Sequence, residues 1–368
     1  MTDNPTEIAP QPGIMGISPY VGGASHVDGV DKVIKLSSNE NPFGPSPAAI
    51  AAYKAAADDL AAYPSPDCAD LRAAIGARHD IDPARILCGN GSDELIALLC
   101  QSYAGEGQEV LFPDHSFALY GLAAQANGCT PVAAPDADLT PDVDNLLAAC
   151  TDQTRLVFIA NPNNPTCTRL NAQEVERLAA GLPPKALLVL DAAYAEFVTS
   201  EDYDSGQSLV SRRENVVMTR TFSKIYGLAA LRIGWLYGPA HVLDVLNRVR
   251  GPFNVNAAAQ AAAIAAINDA DYVAWCAAKN TELKAKVVAA LADLGLPSVP
   301  SSANFILTEF GLGDDTGAAA ADTFLKSKGV IVRRMDSYGL SAHLRISIGS
   351  DDECAALIDA LTAFRGRG

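Results

Sequence analysis

The sequence predicts an α/β protein, a mainly parallel sheet sandwiched by helices, followed by a smaller α+β domain. Three observations predict it. From about Arg85 to Gly238, short β-rich apolar runs alternate with helix-like segments, the pattern of strands joined by crossover helices. Those runs are continuously apolar rather than alternating in polarity, as strands covered on both faces must be. After Gly251 the texture changes, and long helical stretches precede well-separated strand-like runs.

Taken in order, an Ala-rich helix is expected over Ser46–Ala62, whose composition suits helix propensity. Strands follow at Arg85–Cys88, Glu109–Phe112, Pro131–Ala134, Leu156–Ala160, Ala186–Leu190, Asn215–Thr219 and Ile233–Tyr237. Between them the periodicity predicts helices over Ser92–Tyr103, Phe117–Asn127, Pro141–Cys150 and Ala172–Ala180. Beyond Gly251 come a helix from Ala257, a long one near Asp271–Leu294, strands Asn304–Thr308, Val330–Arg333 and His343–Ile348, and helices Thr316–Lys328 and Asp351–Phe364. The segment up to Ser37 has too few periodic apolar residues to fold alone and is expected to pack as an arm on the second domain or on a partner subunit. The expected division is a large domain over 38–253, with 1–37 as the arm and 254–368 as the small domain.

Composition narrows the function. A chain of 368 residues, 49% hydrophobic, has ample material for a core, and its formal charge of −16 offers no overall positive field for nucleic acid or anionic lipid. No apolar run nears the ~18 residues of a membrane span, and Met1–Gly13 lacks the basic start and apolar core of a secretory signal, so a cytoplasmic protein is expected. The eight cysteines form no C-x-x-C pair and none lies at ligand spacing from a histidine, so neither a disulfide framework nor a bound metal is expected.

Several residues point to chemistry. Gly89-Asn90-Gly91-Ser92-Asp93-Glu94 joins a strand to a helix, whose first N–H groups can cradle a phosphate; a capped helix start with Ser92 as N-cap is the plainer alternative. Glu94 stands where a dinucleotide fingerprint needs its third glycine, which removes that reading. Asp191 stands at the carboxyl end of a buried apolar strand, where α/β sheets bind ligands, with Tyr194 three residues on; a helix-capping carboxylate and a core aromatic are the plainer alternatives. Lys224 follows a strand within Thr221-Phe-Ser-Lys-Ile-Tyr-Gly227, flanked by hydroxyls, with Arg232 eight residues further. A surface lysine is the plainer alternative, but that arrangement suits a phosphate held beside a reactive amine. In the second domain, Arg333 and Arg345 sit on predicted strands and suit anionic groups, whereas Arg334, facing the other way, reads as a surface ion pair.

At these residues the chain resembles the fold-type I pyridoxal-phosphate enzymes and, among them, the histidinol-phosphate aminotransferases of the class II aminotransferase group. The likeness spans nearly the whole chain. It rests on Lys35-Leu-Ser-Ser-Asn-Glu-Asn-Pro-Phe-Gly44, Tyr63-Pro64, Gly91-Ser-Asp-Glu94, Asn161-Pro-Asn-Asn-Pro-Thr166, Asp191 with Tyr194, Ser223-Lys224 with Arg232, and His343-Leu-Arg345.

The resemblance implies a transaminase of histidine biosynthesis converting L-histidinol phosphate and 2-oxoglutarate to imidazole-acetol phosphate and L-glutamate. It implies that Lys224 carries pyridoxal phosphate covalently and shuttles the proton, and that Asp191 holds the pyridine nitrogen protonated. Tyr194 and Asn164 would bind the phenolate oxygen, and Phe117 would stack on the ring. Gly91, Ser92, Asp93, Thr221, Ser223 and Arg232 would surround the cofactor phosphate, joined by Tyr63 from the other subunit of a homodimer. Tyr20, Asn39, Arg333 and Arg345 would bind substrate. Rival readings are an aromatic-amino-acid or dual-specificity aminotransferase, a phosphothreonine decarboxylase, and a ligand-binding regulator, the last opposed by the intact Lys224 constellation. Two positions depart from the family pattern. Cys167 stands where a glycine is usual, so its turn is either not left-handed or strained, and Ala192 follows Asp191 where many relatives carry Glu.

Overall fold

The computed structural model describes residues 8, 10, 13–19, 26 and 33–366. Its strands, in chain order, are β1 (Ile34–Lys35), β2 (Ile86–Gly89), β3 (Glu109–Pro113), β4 (Thr130–Ala134), β5 (Thr154–Ala160), β6 (Leu187–Asp191), β7 (Val216–Thr221), β8 (Gly234–Tyr237), β9 (Phe305–Glu309), β10 (Val330–Ile331), β11 (Arg333–Arg334) and β12 (His343–Ser347). Seven of them form one sheet in the order β2-β8-β7-β6-β5-β3-β4, in which β8 runs against both its neighbours and the pairs from β7 to β4 are parallel.

The apolar runs become strands buried on both faces. On β5, Leu156 and Phe158 enter one core while Val157 and Ile159 enter the other, and β6 divides Leu187 and Val189 from Leu188 and Leu190 in the same way. Helices Ser92–Tyr103, Leu119–Ala126 and Ala240–Val249 cover the first core; Ala69–His79, Val143–Ala149, Ala172–Gly181 and Ala257–Asn268 cover the second. The last of these packs with Pro47–Ala55 and Ala69–His79 rather than with the later helices. A third core lies around β12, where the antiparallel sheet β11-β12-β9 packs with Ala270–Asp293, Ala318–Ser327 and Asp351–Arg365. The arm reaches this region through β1, which pairs in parallel with β10.

The structure departs from the sequence expectations at several points. The first helix stops at Ala55 and tightens into a 3-10 turn over Ala56–Asp59. The single strand expected over Val330–Arg333 is two short ones, β10 against the arm and β11 against β12, because the backbone changes partner at Val332. Helices Ala69–His79, Gln207–Arg212 and Ala240–Val249 lie outside the expected set, although Pro239 before Val242, Leu243 and Leu246 was a readable start signal. Cys167 does adopt the left-handed conformation, with φ 60, which costs a residue bearing a Cβ roughly 1–2 kcal/mol. Its amide donates to the Asn163 carbonyl at 2.9 Å and its carbonyl accepts from Ser302 N at 3.0 Å, which holds the turn.

The turn that carries Lys224 is fixed by a close approach of backbone. Gly227 has φ +69, and a Cβ there would lie 2.5 Å from the Gly44 carbonyl carbon. Gly227→Ala is therefore expected to lower stability by roughly 2 kcal/mol or more, from strain and overpacking together. Urea unfolding of parent and variant measures this, and an unchanged midpoint would show that the turn relaxes freely.

Candidate active site

The carboxyl ends of β5, β6 and β7 open on a cleft, as expected of a mainly parallel sheet. At one end, Ser92 and Asp93 begin the helix Ser92–Tyr103, with its unpaired N–H groups facing the cleft mouth. Thr221, Ser223 and Arg232 line the same end. Arg232 Nη1 donates to Ser223 Oγ at 3.4 Å and Nη2 to Asp93 Oδ2 at 3.0 Å. Gly91, at φ +80, allows this approach, since a Cβ there would lie 2.6 Å from Arg232 Nη2. A helix N-terminus, hydroxyls and a guanidinium converging in one place have the chemistry to hold a phosphate.

At the centre, Asp191 is buried at the end of β6. Tyr120 Oη donates to Asp191 Oδ2 at 2.8 Å and Thr219 Oγ1 to Oδ1 at 3.3 Å. Burial nonetheless pushes the carboxyl up to about 6, with Tyr120 and Thr219 opposing the rise. Lys224 faces the same space, its Nζ 3.3 Å from the Ser38 carbonyl and 5.7 Å from the centre of the Tyr194 ring. Desolvation by the surrounding protein, reinforced by Arg345, brings the Lys224 ammonium down to about 8. Burial raises the Tyr194 phenol to about 12, and its oxygen accepts from Asn39 Nδ2 at 3.1 Å. Phe117 lines the cleft and meets Tyr120 edge to face.

At the far end, β11 and β12 place Arg333 directly opposite Arg345. Both line the cleft, while Arg334 points away and pairs with Asp336 at 2.6 Å. The Arg345 guanidinium is buried, donating to Asn164 Oδ1 at 2.5 Å and to the Ser37 carbonyl at 2.9 Å. Asn39 is pinned by Ser347, whose Oγ accepts from the Asn39 amide at 2.8 Å and donates to its Oδ1 at 3.1 Å.

Residues 31–361 match the family of class I and II aminotransferases. The chain belongs to that family. It is 58% identical to the histidinol-phosphate aminotransferase of Dinoroseobacter shibae, over 98% of this chain and 99% of the relative. It is 54% identical to that of Paramagnetospirillum magneticum, over 98% and 99%. Among solved structures it is similar to the histidinol-phosphate aminotransferase from Sinorhizobium meliloti in complex with pyridoxal-5'-phosphate. That likeness has a TM-score of 0.90 at 30% identity and covers 98% of this chain and 99% of that one.

Within this aminotransferase the fold brings together most of the residues singled out in the sequence. Tyr63 is not among the cleft-lining residues of the single chain: it is 83% exposed and stacks on Phe253, ring centres 4.6 Å apart. Tyr20 lies outside the described residues. Reading the sequence missed Tyr120, Thr219, Ser37, Ser38 and Tyr338. Tyr120 follows Phe117 by three residues, one helical turn, and that spacing could have drawn attention to it. Ser37 acts through its backbone carbonyl, which leaves no mark in side-chain chemistry. Among the described residues, no group of three or more His, Cys, Asp or Glu could hold a metal, and no helix is long and apolar enough to cross a membrane.

The Tyr120 hydroxyl makes the shorter of the two side-chain hydrogen bonds to the Asp191 carboxylate. Tyr120→Phe keeps the ring stacked on Phe158 and is expected to raise the Asp191 pKa by roughly one unit, the worth of one hydrogen bond to a charged group. Between 3.8 and about 6, the folded protein holds a proton that the unfolded chain has released. Folding stability from this group is thus present at low pH and lost as pH rises through the folded value. In the variant that loss extends to higher pH. Carbon NMR of the cofactor-free protein follows the carboxyl, and an unmoved titration would remove this role for Tyr120.

Proposed function

We propose that this aminotransferase uses pyridoxal phosphate to exchange an amino group between L-histidinol phosphate and 2-oxoglutarate, yielding imidazole-acetol phosphate and L-glutamate, as in histidine biosynthesis. The observation that carries the reading is one cleft holding a shielded lysine amine, a buried carboxylate, a phosphate cradle and two adjacent arginines. The names of the similar proteins at 58% and 54% identity support the substrate.

The donor set fits the cofactor. The Ser92 helix start, Thr221, Ser223 and Arg232 would hold its phosphate, with room secured by Gly91. Phe117 would cover the ring, Asn164 and Tyr194 would hold its phenolate oxygen, and Asp191 would keep a proton on its nitrogen. When bound, pyridoxal phosphate supplies a carbonyl carbon open to amines and a pyridinium ring that withdraws electrons from the substrate α-carbon. Lys224, with its ammonium brought down to about 8, offers neutral amine near neutral pH, both as nucleophile and as the base that takes and returns the α-proton. Arg345 suits a bidentate anion, the α-carboxylate of glutamate in one half-reaction and the phosphate ester in the other, with Arg333 as second anchor. Asn39, and Tyr20 from the arm, would complete the substrate contacts.

The same reading includes a cytoplasmic homodimer and a two-domain chain, in which helix Ala257–Asn268 packs on the large domain although the expected division at 253/254 gave it to the small one. Tyr63 would reach the cofactor phosphate of the partner. Its exposed ring, held by Phe253 at the start of a Pro-rich turn, supports that arrangement. Mixing inactive Lys224→Ala protomers with inactive Tyr63 variants is expected to restore part of the activity through hybrid dimers. No recovery despite verified subunit exchange would refute the shared site.

The substrate is tested with purified protein, pyridoxal phosphate and three amino compounds: histidinol phosphate, phenylalanine and phosphothreonine. Transamination of histidinol phosphate is expected to dominate, and Lys224→Ala is expected to abolish both turnover and the visible band of the bound cofactor. Arg333→Ala should reduce kcat/KM for histidinol phosphate about tenfold or more beyond its effect on phenylalanine, because a doubly charged phosphate ester offers three free oxygens to two guanidiniums whereas a carboxylate is singly charged and offers two. Equal losses on both substrates would make Arg333 structural.

A further inference from the structure

On the face of β7 opposite Thr219 and Thr221, Arg220 forms an ion pair with Glu196, Nη2 to Oε1 at 2.7 Å, with the side chains only 7% and 9% exposed. The Tyr226 phenol lies close enough to the same carboxylate for the two to interact electrostatically. The Arg220 guanidinium also lies 5.6 Å from the ring centre of Trp235, its cross-strand neighbour on β8. The place of this cluster is telling. The ladder between β6 and β7 ends at Asp191 and Thr219, with one more bond from the Ala192 amide to the Thr219 carbonyl at 2.9 Å. Beyond that point the β6 chain leaves the sheet toward Tyr194 and the turn Ala195–Phe197, while β7 continues through Arg220 and Thr221 toward Lys224. Glu196 lies two residues after Tyr194, and Tyr226 two residues after Lys224.

A buried ion pair is poor value as a stabiliser, since well-packed apolar residues often do as well. Here it spans the gap where backbone pairing stops. We propose that Glu196, Arg220 and Tyr226 are positioning residues that set the Tyr194 turn against the Lys224 turn, fixing the amine relative to the phenol and to Asp191. This rests on the lysine-centred chemistry above but not on which amino compound is the substrate.

Variants of the full-length protein carrying pyridoxal phosphate test it: Glu196→Gln and the apolar double substitution R220M/E196L. The measurements are urea unfolding, the pH midpoint of the visible absorbance of the bound cofactor, and the saturating rate and half-saturation of the L-glutamate half-reaction. The double variant is expected to unfold at a urea concentration close to that of the parent. Its absorbance midpoint should move by about half a pH unit or more, and its saturating rate should fall roughly tenfold to a hundredfold with half-saturation little changed, as a misplacement near 1 Å produces. A folded double variant with the parental midpoint and a rate within about twofold of parental would overturn the proposal. If the double variant does not fold, Glu196→Gln, which preserves shape, decides by the same midpoint and rate. A parent that shows the cofactor band and reacts with glutamate but ignores histidinol phosphate would sink the substrate reading while leaving this one standing.

Discussion

Desolvation at the carboxyl edge of the sheet governs the chemistry of this protein. In water an aspartate and a lysine titrate far apart, and neither exchanges protons readily near neutral pH. Withdrawal from water moves Asp191 up to about 6 and Lys224 down to about 8, so the same physical cause draws both toward neutrality from opposite sides. The carboxylate is kept usable by hydrogen bonds from Tyr120 and Thr219. The Arg345 guanidinium pushes the amine further in the same direction.

That environment requires a sheet buried on both faces and a roof over its edge. The two cores flanking the sheet supply the first, and β5, β6 and β7 project their ends into space that those cores keep rigid. The roof comes from far away in the chain. Ser37, Ser38 and Asn39 follow the arm strand β1, which is held by β10, while Arg345 and Ser347 come from β12. The cleft is thus closed between the sheet edge and a layer tied to the third core. Such a roof excludes water from the groups in the cleft, which strengthens the electrostatic interactions among them.

The site also carries local backbone strain. Cys167 and Arg232 both adopt left-handed conformations without being glycine, at φ 60 and φ 50. Arg232 turns there directly before the run into β8 and so points its guanidinium back over the helix start at Ser92. Cys167 closes the turn after Asn164, whose side-chain oxygen meets Arg345. Strain of this kind persists where surrounding contacts over-determine the backbone, and both positions adjoin groups proposed to hold the cofactor.

The sequence alone determined the sheet and the location of its chemistry. Continuous apolar runs between helical periods can be satisfied only by strands covered on both faces, and Asp191 and Lys224 stand out because each lies at the end of such a run. Short motifs in a fixed order carried the family. Tertiary structure decided what depends on contacts distant in the chain. Asn39 meets Ser347 across 308 positions, Arg345 meets Asn164 across 181, and Tyr120 meets Asp191 across 71. It also decided that Val330 and Arg333 belong to different sheets and that Cys167 is left-handed. Local propensity acts over a few residues, whereas these outcomes follow from which surfaces the packed cores bring together, and no pattern within a short window encodes that.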